Sequence, residues 1–149
     1  VIATEEDIER FGWPLPDGVL AALIERLLGA GAAVVAMDLY RDRPVGEGGA
    51  ALAELLSRED RILWAYRLGD AGHRGIAPPA PLRGTPRATF ADVVADAGEV
   101  VRRSLIAAED PADGRVVFSL GAALAQRLAG ERVRPEGADL GFGEGLLRI

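Results

Sequence analysis

Cysteine and lysine are both missing from this chain of 149 residues. The first absence excludes disulfides, thiolate metal sites and cysteine nucleophiles, and leaves the redox compartment open. The second makes every basic side chain an arginine. Aromatic residues are scarce at 5%, and His73 is the only histidine. A catalytic triad or a histidine-based metal site therefore lacks its partners. Long apolar runs are missing as well. The longest largely apolar stretch, Ala30 to Leu39, falls far short of the ~20 residues needed to span a bilayer.

What is present suits one soluble-type domain with a real core. The apolar fraction is 49% and the charged fraction 27%, both ordinary for a globular chain. A net charge of −6 disfavours a nucleic-acid partner, which would need a basic face to displace counterions from phosphates.

Val1 to Thr4 reads as a short strand and Glu5 to Phe11 as a helical turn after it. Asp17 is the expected N-cap of the next helix. In that helix Val19, Leu20, Leu23, Ile24, Leu27 and Leu28 repeat at i, i+3, i+4 spacing. Gly29 and Gly31 end it. Ala32 to Leu39 is a strand rich enough in valine to be covered on both faces. Ala50 to Ser57 is a short helix after the Gly46 to Gly49 loop, and Ile62 to Tyr66 another strand. This alternation predicts parallel pairing with right-handed crossovers. A long Gly/Pro-rich loop follows, Gly69 to Pro86, of a length that is usually functional or mobile.

The second half changes pattern. Thr89 to Ala95, Val100 to Ala107 and Arg115 to Phe118 are separated by two turn-forming stretches, Asp96 to Glu99 and Asp110 to Gly114. They predict an antiparallel meander. A helix capped by Thr89, with Asp92 at its third position, competes for the first segment. Ser119 caps a last helix with Leu120, Leu124 and Leu128 on one face, and Leu146 to Ile149 adds an edge strand. The fold class expected is α/β: a single domain, residues 1–149, with a central mixed sheet flanked by helices. No glycine-rich phosphate motif survives. Gly29-Ala30-Gly31 follows a helix and precedes a strand, the reverse of the dinucleotide-binding order, and Gly141 to Gly145 is a turn.

Five local patterns, taken with the order of elements, resemble the CHASE2 family. The acidic segment after the first strand is Glu5-Glu6-Asp7. The family's tryptophan–proline–aromatic–proline motif stands here as Trp13-Pro14-Leu15-Pro16. A strand ending like its glycine–phenylalanine–aspartate triplet is Ala36-Met37-Asp38. Its aspartate turn with two valines and paired arginines is Asp96-Ala97-Gly98-Glu99-Val100-Val101-Arg102-Arg103, and its serine–leucine helix start is Ser119-Leu120. Departures are Asp17 where the family often has arginine, Ala36-Met37 for glycine and an aromatic, and a missing second aspartate in the turn. The resemblance implies an extracytoplasmic sensor module held between transmembrane segments. It also implies a cytoplasmic output such as a nucleotide cyclase, histidine kinase or serine/threonine kinase. It implies no cofactor and names no stimulus. The chain opens without a basic leader or signal peptide, so the membrane anchors of such a receptor would lie outside this sequence.

Four residues carry the candidate ligand chemistry: Asp38, Arg102, Arg103 and Trp13. Asp38 ends a parallel strand, where α/β proteins bind ligands. It reads more simply as a hydrogen-bonded structural aspartate, because no second carboxylate lies at metal-ligand spacing. Arg102 and Arg103 point to opposite faces of a strand, so burial on both sides would leave one guanidinium needing an anion or an internal partner such as Asp38, Asp92 or Asp96. Trp13 is either a stiff plug over the start of the helix or an aromatic platform. His73 is an ordinary loop histidine or a pH sensor.

The expected function is therefore sensing of an unidentified small ligand or other stimulus by a non-catalytic domain. The helix from Val19 to Leu28 is a candidate homodimer contact and the Gly69 to Pro86 loop the moving part. The alternatives are a cytosolic α/β enzyme that uses Asp38 as acid, base or metal ligand, and a protein-interaction module. Apolar spans encoded before Val1 and after Ile149 would separate the first reading from the other two.

Overall fold

The computed structural model describes residues 2–70, 72–96, 100–136, 139–142 and 145–147, with the side chains of 94–96, 100, 102–103, 135–136, 139–140 and 145–147 left out. Residues 2–4 join no strand ladder; Val1 lies outside the described residues. Thr4 instead caps helix α1, Glu5–Phe11, through a capping box. Its Oγ1 accepts from the Asp7 amide at 3.2 Å, and Asp7 Oδ2 accepts from the Thr4 amide at 2.9 Å. No residue of α1 is buried.

The second helix, α2, spans Asp17–Gly29 and corrects one expectation. Pro16, not Asp17, is the N-cap, and it offers no side-chain acceptor. The first free amides are satisfied across the chain. Asp17 N–H donates to the Val45 carbonyl and Gly18 N–H to the Glu47 carbonyl, both at 2.8 Å. This frees the Asp17 carboxylate to pair with Arg41 at 3.2 Å, the two side chains being 4% and 6% exposed. Asp17 Oδ2 also accepts from Val45 N–H at 3.2 Å, and Arg41 Nη2 donates to the Leu15 carbonyl at 2.7 Å. Gly48 completes the lock. Its φ is +89°, and a Cβ there would lie 2.3 Å from the Gly18 Cα, so only glycine lets the loop reach the helix.

Strands β1 (Val35–Met37), β2 (Ile62–Tyr66) and β3 (Ala88–Phe90) form a parallel sheet in that order, and helix α3 (Gly49–Arg58) lies between β1 and β2 in the chain. Strand β1 is shorter than Ala32 to Leu39 because both flanks are committed elsewhere. Ala32 N–H bonds back to Leu27 at the end of α2, and the Leu39 carbonyl accepts from Trp64 Nε1 at 2.8 Å. Every residue of β2 is buried. Ile62, Trp64 and Tyr66 join the core with Leu20, Ile24, Leu52, Leu55 and Leu56. Leu63 and Ala65 point to the opposite face and are buried too, and α4 (Leu120–Ala129) is the helix that packs against β2 and β3. Arg87 closes the end of α3 by donating to the Leu56 and Glu59 carbonyls at 2.6 and 2.7 Å.

The segment Thr89 to Ala95 is divided. Its first part is β3, where Thr89 is buried and donates to the Trp64 carbonyl at 3.2 Å, so the competing helix does not form. Its last part, β4 (Val94–Asp96), pairs antiparallel with β5 (Val100–Arg103). Residues 97–99 of the expected turn lie outside the described residues. A second antiparallel pair joins β6 (Ala107–Glu109) to β7 (Val116–Phe118), so the second half holds separate hairpins rather than one three-stranded meander. The bridge between Phe90 and Ser119 attaches the β6–β7 hairpin to the sheet beside β3. Ser119 caps α4 as expected, accepting from the Ala122 amide at 3.3 Å. The face of α4 is shifted, with Ala123 buried and Leu128 exposed. An antiparallel sheet of β8 (Val133–Glu136), β9 (Asp139–Phe142) and β10 (Gly145–Leu147) ends the chain. Of the expected Leu146 to Ile149 strand, residues 148–149 lie outside the described residues. The α/β fold class stands.

The buried ion pair yields the first test. Arg41→Met strands the Asp17 carboxylate without its cation and should cost about 3–5 kcal/mol in urea unfolding. Asp17→Asn combined with Arg41→Met should lose clearly less than Arg41→Met alone, because the uncompensated charge is gone. Unchanged stability in Arg41→Met would contradict the lock.

Candidate functional site

A cleft of about 750 Å³ opens at the carboxyl end of β2, the position at which parallel α/β sheets take ligands. Its volume is in the range of small-molecule sites. Tyr66 and Ala88 form the floor, and two loops form opposite walls. One wall is the stretch after β2, Arg67 to Pro78. The other is the β6–β7 turn, Asp110 to Arg115.

The first wall is built on a two-way backbone bridge between Arg67 and Ile76, at 3.1 and 2.9 Å. Inside it the Gly69 and Gly75 backbones cross so closely that a Cβ on Gly75 would sit 2.8 Å from the Gly69 nitrogen. Asp70 organises the tip by accepting from the amides of Gly72 at 2.7 Å and His73 at 2.8 Å. Those bonds, the Gly72 amide first and then the His73 ring at 3.1 Å, hold the Asp70 carboxyl below its ordinary range. The second wall is a tight turn, with Asp113 and Gly114 amides donating to the Asp110 carbonyl at 3.3 and 2.8 Å. Asp113 sits below the ordinary carboxylate range because Arg115 Nε donates to it at 2.7 Å.

One hydrogen bond ties the floor to the second wall. The Tyr66 hydroxyl donates to Asp110 Oδ2 at 2.5 Å, and both residues are buried. Burial, followed by this bond and the negative charge of Asp110, raises the Tyr66 phenol well above its ordinary value. Asp110 Oδ1 accepts from the Ala112 amide at 2.9 Å. The aspartates lining the walls at 70, 110 and 113 thus have their oxygens engaged. Among the described residues Arg83 donates only to backbone carbonyls, of Pro78 at 3.3 Å and Asp42 at 3.4 Å. Among the described residues, the Arg67 and Arg74 guanidinium groups have no carboxylate or carbonyl partner, although both line the cleft.

Of the residues singled out in the sequence, Asp38 and Trp13 do not line the cleft. Asp38 is exposed just beyond β1, outside the cleft, and near Tyr40. Burial, then the charges of Asp92 and Asp38, raise the Tyr40 phenol. Arg41, three residues beyond Asp38, is committed to Asp17. Trp13 is 67% exposed, so it does not plug the start of α2; Leu15 packs against the core in its place. The side chains of Arg102 and Arg103 lie outside the described residues. His73 does line the cleft. The apolar face of α2 is turned inward, with Leu20, Ala21 and Ile24 in the core. Within Gly69 to Pro86, Pro78, Pro79 and Leu82 are buried around the 3-10 turn Ala80–Leu82, so only the first part of that loop forms the free wall. Tyr66 and Asp110 were missed because they meet only in three dimensions. The usable signal was the position of Tyr66 at the end of an all-apolar strand, the same argument that drew attention to Asp38.

Among the described residues no group of three acidic or histidine side chains is placed to hold a metal ion, and no helix is long and apolar enough to cross a membrane. A family model described as the CHASE2 domain matches residues 1–148. Neither a curated protein nor a solved structure gives a significant match.

Tyr66→Phe removes the donor that serves buried Asp110 and should destabilise the domain by about 1–3 kcal/mol in chemical denaturation. The sign of its pH dependence follows from the raised phenol. The stabilisation is complete below pH 10, the ordinary tyrosine value, and is lost as pH rises through the higher folded value. Stability measured above pH 10 should therefore fall less steeply in Tyr66→Phe than in the native chain. Equal slopes would contradict the assignment.

Proposed function

The chain belongs to the CHASE2 family of sensor domains in signalling receptors, and on that premise we propose that it senses a small ligand bound in the cleft between the β2 wall and the β6–β7 turn. The proposed setting is outside the cytoplasm, between transmembrane helices that flank the domain. The receptor would end in a nucleotide cyclase, histidine kinase or serine/threonine kinase, and would pair with a second copy. The domain itself is not the catalyst.

The observation that carries the reading is the construction of the cleft. Its floor belongs to the buried strands β2 and β3, whereas its walls come from two loops tied to that floor at few points. A ligand touching both walls favours one separation between them. It shifts the receptor only by its difference in affinity for the two separations, and a change from 1:99 to 99:1 requires about a 10⁴-fold preference. The β6–β7 wall leads directly into Ser119 and α4, which packs on β2 and β3. Movement there would be passed toward the C-terminal part of the domain.

The absence of cysteine makes the placement simple to test. In the intact receptor with no other cysteine outside this domain, Ala112→Cys should react with a membrane-impermeant maleimide in whole cells. Labelling only after lysis would rule out the extracytoplasmic setting. Ala112→Trp, which fills the cleft from an exposed turn, should leave the domain folded and stop the receptor output from responding to its stimulus. A normal response would rule out the cleft as the sensing site.

A further inference from the structure

We propose that the cleft recognises a small molecule through an oxyanion, a carboxylate or a phosphate, held by the guanidinium groups of Arg67 and Arg74. The proposal rests on the cleft being the ligand site and goes on to name the chemistry of its ligand.

Net charge does not carry the argument. The lining holds four arginines, at 67, 74, 83 and 115, against four aspartates, at 42, 70, 110 and 113. Their formal charges cancel in a chain that is acidic overall, with a net charge of −6. What distinguishes the two sets is unused hydrogen-bonding capacity. Asp70 is occupied by the Gly72 and His73 amides, Asp110 by the Tyr66 hydroxyl and the Ala112 amide, and Asp113 by the Arg115 side chain and amide. Of the four carboxylates only Asp42 makes no hydrogen bond among the described residues. The arginines are the reverse case. Arg115 donates through Nε to Asp113, and Arg83 donates to two carbonyls. Arg67 and Arg74 line the cleft without a hydrogen bond or ion pair among the described residues, and the charge of Arg67 also acts on the neighbouring Tyr40.

A guanidinium presents parallel N–H groups that match the two oxygens of a carboxylate or the edge of a phosphate. Two such forks on one loop, with a third nearby on Arg83, favour a ligand with an oxyanion at one end. The close crossing of Gly69 and Gly75 and the Arg67–Ile76 bridge hold Arg67 and Arg74 on the same short loop. Binding would therefore draw that wall toward its ligand. Tyr66 and Ala88, less polar, face the rest of the molecule.

The experiment follows backbone amide shifts of the isotopically labelled domain during titration with succinate, inorganic phosphate and neutral glucose. Saturable shifts at Arg67 to Ile76 and at Asp110 to Arg115 are expected with at least one of the two anions, and which one responds tells a carboxylate from a phosphate ligand. Arg67→Gln and Arg74→Gln should each weaken that anion about tenfold. Arg127→Gln, on the exposed surface of α4, should leave it unchanged. Arg74 is exposed, so its variant keeps the proposal testable if Arg67→Gln does not fold. Shifts at the cleft with glucose and with neither anion would overturn the oxyanion assignment while leaving the cleft as a ligand site. No shift at the cleft with any of the three would overturn the oxyanion assignment and count against the cleft as well. Equal weakening in Arg127→Gln would also overturn it, because the anion would then be following general surface charge.

Discussion

The ion pair between Asp17 and Arg41 is the constraint on which the N-terminal half depends. Both side chains are almost fully buried, and the paired atoms Asp17 Oδ1 and Arg41 Nη1 make no hydrogen bond of their own, so charge alone holds that contact. Such a pair is a weak source of net stability, since taking two ions out of water offsets most of their attraction. Its value is positional. The loop from Arg41 to Gly48 must lie against the first turn of α2 for either charge to be tolerated. Once there, its carbonyls also satisfy the amides of Asp17 and Gly18. The loop runs from the end of β1 to the start of α3, so the pair fixes α2, α3 and β1 relative to one another. The Leu15 carbonyl, which receives Arg41 Nη2, gives the proline-rich motif at residues 13–16 a physical purpose. The motif docks the chain onto this loop, with Pro16 against Gly46 and Trp13 left facing outward.

That arrangement leaves β2 without freedom. It is paired on both edges, covered on both faces, and pinned through Trp64 to the Leu39 carbonyl. The cleft is built on its end. A rigid floor with walls of loop suits a sensor, because a ligand can then change the relation between walls without disturbing the core. The Tyr66–Asp110 bond is the point where floor and wall meet.

The parts legible in the sequence were those with local causes. Ile62 to Tyr66 was expected as a strand with the bounds observed, because its apolar run is bracketed by polar residues. Ser119 was recognised as a cap, since its bond partner is three residues away. Asp17 shows the limit. Its residue type and position fit an N-cap, and only the arrival of Arg41 and Val45 from far along the chain makes it a buried ion instead. Strand β1 came out short for the same reason, its flanks being claimed by Leu27 and Trp64. The candidate site was less legible still. Tyr66 and Asp110 are separated by 44 residues. Arg67 and Arg74 also look like any of the other arginines, whereas the adjacent pair at 102 and 103 draws notice by spacing alone. What marks Arg67 and Arg74 is a place on the cleft without a hydrogen bond or ion pair among the described residues, which no sequence pattern records.

Native-state amide hydrogen exchange tests the division between locked floor and free walls most directly. The amides of Leu20 to Ile24 and Ile62 to Tyr66 should exchange only through global unfolding, with one shared free energy that follows denaturant. Amides of Asp70 to Arg74 and Ala112 to Gly114 should exchange through local openings that ignore denaturant at low concentration. If the wall amides instead share the exchange free energy of β2, the cleft is as rigid as its floor and the account is contradicted.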